Sequence, residues 1–117
     1  MRRGDVWFAD LDPARGSEAN KVRPVVIVSN DARNRSADRS ARGVLTVVPL
    51  TSNTARVLPF QALVPAGAAT GLDTDSKAQA EQVRSIDMGR LTRRAGALSA
   101  ETMAVLDEAL MLHLGLD

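Results

Sequence analysis

The sequence predicts a mainly β domain, a small and strongly bent antiparallel sheet, with one C-terminal helix. Short runs rich in Val, Ile and Leu recur along the chain, and clusters of Gly, Pro, Asn and Asp separate them, which is typical of a sheet. After Ser99, apolar residues recur at helical spacing instead. We find no repeat and no internal linker, so residues 1–117 are expected to form a single domain.

The first two predicted strands flank a long polar loop. Residues 5–11 contain the only Trp and predict a strand, and turn residues follow at positions 12–17. Residues 24–29 are apolar on both faces, which predicts a central strand. Pro24 has no N–H to donate and is therefore expected at the first position of that strand.

Residues 30–43 are polar, and only their beginning predicts regular structure. Asn30 can cap a short helical turn that reaches Asn34 or Arg35. From there to Gly43 the sequence lacks periodicity and predicts an exposed loop that carries arginines. Residues 44–50 are apolar and β-branched, so they predict a third strand, which ends at Thr51.

Three more strands are predicted before the helix, over residues 59–64, 76–86 and 91–98, with a loop at 65–71. The 76–86 strand is polar enough that one of its faces should lie outside the core. Ser99 is the expected helix N-cap, with Leu98 and Met103 in the positions of a hydrophobic staple. The apolar stripe of this helix should cover one face of the sheet; it comprises Met103, Leu106, Leu110 and Leu114.

Composition excludes several classes of protein. The absence of cysteine excludes disulfides, a thiolate nucleophile and cysteine metal sites, and it fits a reducing compartment. No signal peptide and no apolar run of membrane-spanning length is found, so a cytoplasmic protein without a membrane partner is expected. No phosphate-binding glycine loop, dinucleotide fingerprint or His cluster occurs, and His113 lies late in the predicted helix. We therefore expect no metal and no cofactor.

The charge is distributed unevenly. Residues 1–98 carry fifteen basic and ten acidic side chains, whereas residues 99–117 carry four acidic side chains and no Lys or Arg. Thirteen of the bases are arginine, whose planar fork suits phosphate. The basic part of the chain is compatible with a nucleic-acid partner.

Polar groups at two strand ends are the best candidates for a site. Arg23 precedes a proline, which holds its backbone extended, and it could bind phosphate or be a solvated or ion-paired arginine. Thr51 and Ser52 could bind the same ligand or form a turn, and Glu18 and Glu81 could be solvated charges. We expect the ends of the second and third strands to meet.

Six short motifs, in order, make the sequence resemble the MazF/PemK toxin family over nearly its whole length. They are Gly-Asp-Val-Trp (4–7), Gly-Ser-Glu (16–18), Arg-Pro-Val-Val-Ile-Val-Ser-Asn (23–30), Val-Pro-Leu-Thr-Ser (48–52), Pro-Phe (59–60) and Glu-Gln-Val-Arg-Ser-Ile (81–86). The resemblance implies a small SH3-like barrel of the CcdB/Kid/PemK-like type and a homodimer. It also implies a sequence-specific, metal-independent endoribonuclease that cuts single-stranded RNA and that a cognate antitoxin inhibits.

The resemblance also assigns roles to residues. The essential arginine and threonine of the family fall on Arg23 and Thr51, and the acid of its loop motif falls on Glu18, our hypothesis for the general base. The loops at 15–22 and 31–43 are expected to set which bases are read. The residues expected to bind RNA are Lys21, Ser52, Asn53, Glu81, Gln82 and Arg84.

A second class of function remains open. A toxin of similar fold can act without catalysis by binding a protein such as DNA gyrase, and a small barrel can be a passive adaptor. An Arg23–Thr51 pair at adjacent strand ends would favour the ribonuclease, because a gyrase-binding toxin does not require it.

Overall fold

A computed structural model describes residues 1–11 and 22–116 and shows the predicted antiparallel sheet and C-terminal helix. The strands are β1 (Asp5–Asp10), β2 (Val22–Ile27), β3 (Val44–Thr51), β4 (Gln61–Val64), β5 (Ser76–Gln79), β6 (Arg84–Asp87) and β7 (Leu91–Ala97). The helices are α1 (Asp31–Ser40) and α2 (Ala100–Leu114). None of the helices in the described part of the chain has the length and apolar character that crossing a bilayer requires.

All the strand pairings are antiparallel, and the order across the sheet is β4-β5-β3-β2-β1-β7, with β6 also paired with β3. The segment that follows β4 turns back toward the opposite end of this order, where the Ala97 N–H donates to the Ala69 carbonyl at 2.9 Å. Within residues 1–11 and 22–116 no ladder joins β4 to β7, so the sheet is a bent, open barrel.

Each face of the sheet has its own apolar core. Val6, Val26 and Val48 pack with Leu106 and Leu110 of α2, whereas the alternate side chains of the same strands pack on the α1 side. Because side chains of a strand alternate between faces, a strand buried on both sides reads as a continuous apolar run. The predicted central position of β2 is confirmed.

Helix α2 begins as predicted. The Ser99 hydroxyl accepts a hydrogen bond from the Thr102 N–H at 3.1 Å, and Leu98 and Met103 both pack against the α2-side core. Leu106 and Leu110 are buried, but Leu114 is 53% exposed. The apolar stripe therefore covers the sheet along most of the helix and leaves its last turn uncovered.

The prediction of an exposed loop up to Gly43 is wrong, because residues Asp31–Ser40 form helix α1. Asn30 caps it by accepting from the Arg33 N–H at 2.8 Å, and the Arg3 N–H, bonded to the Asp31 carboxylate at 2.7 Å, lowers the pKa of Asp31. Only Asn34 and Ala37 are buried, and the Asn34 amide donates to the Ser29 carbonyl. A helix that faces its core with one alanine and one asparagine carries no hydrophobic periodicity, so the pattern missed it.

The single strand predicted over residues 76–86 is in fact two strands, β5 and β6, along the same edge of β3. The turn Ala80–Gln82 separates them and shifts the register by three residues, from Leu50 opposite Ala78 to Val47 opposite Arg84. Such an insertion bends an antiparallel sheet.

Strand β2 also begins two residues earlier than predicted, at Val22. Pro24 lies opposite Phe8 but outside the β2–β3 ladder, which begins at Val25, so the missing N–H breaks no bond of that ladder.

Candidate active site

The ends of β2 and β3 meet at one cavity of about 330 Å³. These strands are antiparallel neighbours whose ladder ends at Val25 opposite Pro49, so Arg23 and Thr51 each lie two residues beyond its last pair. Both residues line the cavity. Its complete lining is Phe8, Arg23, Pro24, Leu50, Thr51, Ser52, Leu72, Asp73, Thr74 and Ser76.

Arg23 brings a positive charge to this cavity. The residue is exposed and belongs to β2, where it lies opposite Ala9 of β1 and just before the half-buried Pro24. Among the described residues, no carboxylate forms an ion pair with Arg23. Its guanidinium, with five N–H donors in a planar fork, can therefore receive an anion such as phosphate.

Thr51 combines the two roles that its sequence allowed. Its hydroxyl oxygen accepts the Asn53 N–H at 3.3 Å, and the Asn53 side chain in turn accepts the Ala55 N–H at 3.4 Å, so both residues form the turn. A hydroxyl that accepts a hydrogen bond still has its O–H to donate, and Thr51 lines the cavity with Ser52. Asn53 does not line it.

Lys77 supports the Thr51 end of β3 from the neighbouring strand. It lies opposite Thr51 on β5, is buried, and donates from its ammonium to the Arg56 carbonyl at 2.6 Å. This bond ties the segment between β3 and β4 to the sheet beside Thr51. Nothing in the sequence pattern around Lys77 distinguishes it from a solvated lysine.

The far wall of the cavity comes from residues 72–76, which the sequence analysis did not include in the site. Asp73 adds an exposed carboxylate and Thr74 a hydroxyl. Hydrogen bonds hold this segment: Asp75 accepts the Ala66 N–H at 2.7 Å, and the Ser76 hydroxyl donates to the Thr74 carbonyl at 3.1 Å. In the described part of the chain, no group of three or more His, Cys, Asp or Glu residues could hold a metal ion.

The other predicted site residues lie apart from this cavity or outside the described residues. Glu18 and Lys21 lie outside the described residues. Glu81 and Gln82 lie in the turn between β5 and β6, and Arg84 lies opposite Val47, four residues along β3 from Thr51. These three do not line the cavity.

Glu81 is held by a specific contact. One of its carboxylate oxygens accepts from the Gln61 side-chain amide at 2.7 Å, and the other is buried without a hydrogen-bond partner among the described residues. The interpretation of Glu81 as a solvated strand charge is therefore wrong, since a buried carboxylate oxygen is not solvated.

Comparison with known sequences identifies similar proteins over nearly the whole chain. The family model described as PemK-like, MazF-like toxin of type II toxin-antitoxin system matches residues 2–114. The chain is 62% identical over 116 residues to Endoribonuclease MazF9 of Mycobacterium tuberculosis, covering 99% of this chain and 98% of that protein. It is 39% identical to Endoribonuclease EndoA of Bacillus subtilis, covering 99% and 96% of the two chains.

Solved structures share the same fold. A mycobacterial endoribonuclease in complex with its cognate antitoxin superposes with a TM-score of 0.77 at 28% identity, covering 100% of this chain and 97% of the other. The Mycobacterium tuberculosis toxin MazF-mt6 superposes with a TM-score of 0.75 at 27% identity, covering 97% and 98% of the two chains.

Proposed function

Because the chain belongs to the family of PemK-like, MazF-like toxins of type II toxin–antitoxin systems, we propose that it is an endoribonuclease whose active site is the Arg23–Thr51 cavity. Its substrate is single-stranded RNA, whose unpaired bases can be read on their edges. The observation that carries the proposal is that Arg23 and Thr51, 28 residues apart in sequence, line one cavity at adjacent strand ends.

The reaction needs no nucleophile from the protein. The 2′-hydroxyl of the substrate attacks the adjacent phosphorus and loses its proton to a base, while the bond from phosphorus to the 5′-oxygen breaks and that oxygen gains a proton. The products are a 2′,3′-cyclic phosphate and a 5′-hydroxyl, and no metal ion takes part. DNA lacks the attacking hydroxyl and is not cut.

Each residue has one role in this step. The Arg23 guanidinium stabilises negative charge on the phosphoryl oxygens, an effect worth about 3–4 kcal/mol by analogy with the loss of one oxyanion donor. The Thr51 hydroxyl donates to a phosphate oxygen and orients it. Glu18 is the proposed base, because an arginine side chain stays protonated in proteins and is therefore a poor proton acceptor.

RNA binding extends beyond the reacting phosphate. Ser52 lies in the cavity with Thr51, and Lys21 precedes Arg23 by two residues in the sequence. We assign the flanking nucleotides to Lys21 and to the polar edge next to β3, which comprises Asn53, Glu81, Gln82 and Arg84.

Cleavage of a long, weakly structured RNA in EDTA tests the catalytic proposal. The protein is expected to cut at one short recurring sequence and to leave cyclic phosphate ends, whereas Arg23→Ala and Thr51→Val should lose about 100- to 1,000-fold in rate. Arg2→Ala, which removes the same charge from an exposed residue that does not line the cavity, is the matched control. Intact RNA with a folded protein would contradict the proposal and favour the non-catalytic toxin.

A homodimer is the proposed assembly. The uncovered end of α2 supports it: a cavity of about 450 Å³ lies between α2 and the sheet, beside Met111, Leu114 and Leu116, which are 40%, 53% and 69% exposed. Large exposed apolar patches are a common feature of protein–protein interaction sites. A mass of one protomer by light scattering at the working concentration would contradict the dimer.

The proposed inhibitor is a cognate antitoxin with an acidic, partly disordered tail. The basic part of the chain, with Arg23 exposed at the cavity, offers such a tail the charges that otherwise bind RNA. Occupation of the cavity by carboxylates would then exclude phosphate. Antitoxin and RNA should compete, and simultaneous binding of both at the Arg23 cavity would contradict this mode of inhibition.

A further inference from the structure

A second arginine, Arg93, lies beside the cavity with its guanidinium over an aromatic ring. The guanidinium carbon of Arg93 lies 4.1 Å from the centre of the Phe8 ring. Phe8 lines the Arg23 cavity, and its cross-strand partners are Pro24 on one side and Arg93 on the other. Directly opposed residues of paired strands point to the same face of the sheet, so these three side chains form a row.

The row leads outward from the cavity. Strand β1 lies between β2 and β7, so Arg93 is two strand spacings from Pro24, roughly 10 Å. An RNA strand that leaves the cavity over Phe8 therefore meets Arg93 next.

Among the described arginines at this edge, Arg93 is the one without a polar partner and therefore available to a ligand. Arg94 forms an ion pair with Asp5 at 3.3 Å, and Arg90 donates to the Asp10 carbonyl at 3.1 Å. Arg93 is exposed and has no carboxylate partner in the part of the chain that the structure describes. Its charge is left for a binding partner.

The stacking of Arg93 on Phe8 indicates which kind of ligand Arg93 can bind. When one face of a guanidinium stacks on a ring, its N–H donors still point outward in the guanidinium plane, where they can bind phosphate in a fork. The ring also limits the freedom of the Arg93 side chain, so less rotamer entropy is lost when the side chain is fixed by a ligand. The site is thus partly preorganised for an anion.

We propose that Arg93, held on Phe8, binds a phosphate of the RNA strand that flanks the phosphate bound by Arg23. The inference rests on the proposed function for its substrate class. Arg93 is a substrate-positioning residue, since it acts on a neighbouring phosphate and not on the reacting atoms.

Binding to an RNA that cannot be cut tests this inference separately from catalysis. The probe is a fluorescein-labelled, fully 2′-O-methylated single-stranded RNA of mixed sequence, measured by anisotropy over a range of salt concentrations. Arg93→Gln should weaken binding about 3- to 10-fold and reduce the slope of log K against log salt by about one. Arg93→Lys, which keeps the charge, should retain most of the wild-type slope, and Arg2→Ala is the control for charge loss at an exposed residue outside the cavity.

Cleavage supplies the second readout. For Arg93→Gln we expect a rise in KM with little change in kcat, since the contact is present before and during the reaction. Phe8→Leu should weaken RNA binding when Arg93 is present. In the double variant with Arg93→Gln it should cause no further loss, because Phe8 affects binding by holding Arg93 in position.

The outcomes separate the two proposals. If Arg93→Gln had the same RNA affinity, salt slope and KM as Arg2→Ala, the role of Arg93 would be overturned, even if RNA is cut normally. A wild-type protein that binds the probe but cuts no RNA would overturn the catalytic proposal, and the salt slopes would still decide whether Arg93 contacts phosphate.

Discussion

Arg23 and Thr51 divide the proposed chemistry between a fixed charge and a neutral donor. The guanidinium of Arg23 can bind two phosphoryl oxygens at once, because its N–H donors form a rigid planar fork. Thr51 already accepts the Asn53 N–H, which fixes its hydroxyl oxygen and leaves its O–H to donate. A rigid donor and a permanent cation suit a reaction whose main need is stabilisation of phosphoryl charge.

The proposed base for the 2′-hydroxyl proton, Glu18, can be tested by substitution. Glu18→Gln should slow cleavage about 100-fold or more while leaving RNA binding nearly unchanged, because loss of a general base affects only the reacting step. Single-turnover rates of RNA cleavage measure the loss of activity. Binding of the 2′-O-methylated RNA, which cannot be cut, is the control. Asp73→Asn is the informative partner, since Asp73 is the carboxylate of the described residues that lines the cavity. Normal cleavage by Glu18→Gln and slow cleavage by Asp73→Asn would transfer the role to Asp73.

Residues of the candidate site could be predicted from the sequence where a polar residue stands directly at the end of an apolar strand. Arg23 and Thr51 could be found because each lies where a charged or hydroxyl group meets an apolar strand. Asp73 and Phe8 could not, because their place at the cavity depends on strand register and on the return of residues 65–75 over the sheet. Lys77 was unremarked for the same reason: its role lies in a bond to the Arg56 carbonyl, far away in sequence.

At the scale of elements, the segment between β4 and β5 completes the site by resting on β7. Residue Gly71 has a φ of +72° and approaches the Ala95 carbonyl so closely that a side chain there would collide with it. A Cβ on Gly96 would likewise meet the backbone of Ala69 and Thr70, with the Thr70 carbonyl carbon at 2.6 Å. These two glycines let the cavity wall formed by residues 72–76 rest against the sheet.

Gly96→Ala should therefore disturb both the fold and the site. The added methyl group must push the backbone of residues 69–70 away from β7, an overpacking that typically costs 1–3 kcal/mol. Denaturant unfolding should show this loss of stability, with reduced cleavage at temperatures where the variant is still folded. Gly89→Ala is the control, since its Cβ would meet one side-chain atom and no backbone, the Asp87 carboxylate oxygen at 3.0 Å that accepts the Gly89 N–H. Equal stability of the two variants would contradict the close packing of β7 on this segment.

Elements that bury an apolar face could be predicted, and those fixed by polar contacts could not. The stripe of α2 and the apolar runs of β2 and β3 each require a core partner, which fixes their type. Helix α1 depends instead on the Asn30 cap and on buried Asn34, and the turn at residues 80–82 depends on register along β3. Neither the polar contacts of α1 nor the register shift along β3 produces a hydrophobic periodicity in the sequence.

Over the whole molecule, charge directs how RNA can approach. Residues 1–98 have a formal charge of +5 and residues 99–117 one of −4. The Arg3 guanidinium pairs with Asp107 of α2 at 2.8 Å, which neutralises one charge of each region. The remaining acids of α2 repel phosphate, so the proposed RNA strand, which reaches from the cavity to Arg93 and to the polar edge next to β3, should avoid the exposed face of α2. The uneven charge distribution could be predicted from the sequence, whereas the route of the RNA strand could not.

The most direct test of the central claim uses two RNA oligonucleotides that differ at one atom. Both span a cut site mapped in EDTA, and one has a single 2′-deoxy nucleotide immediately before the scissile phosphate. The account predicts rapid cutting of the all-ribose strand with a 2′,3′-cyclic phosphate end, no cutting of the deoxy strand, and equal binding of both at the Arg23 cavity. Cutting of the deoxy strand at the same position would contradict attack by the 2′-hydroxyl and require a different nucleophile.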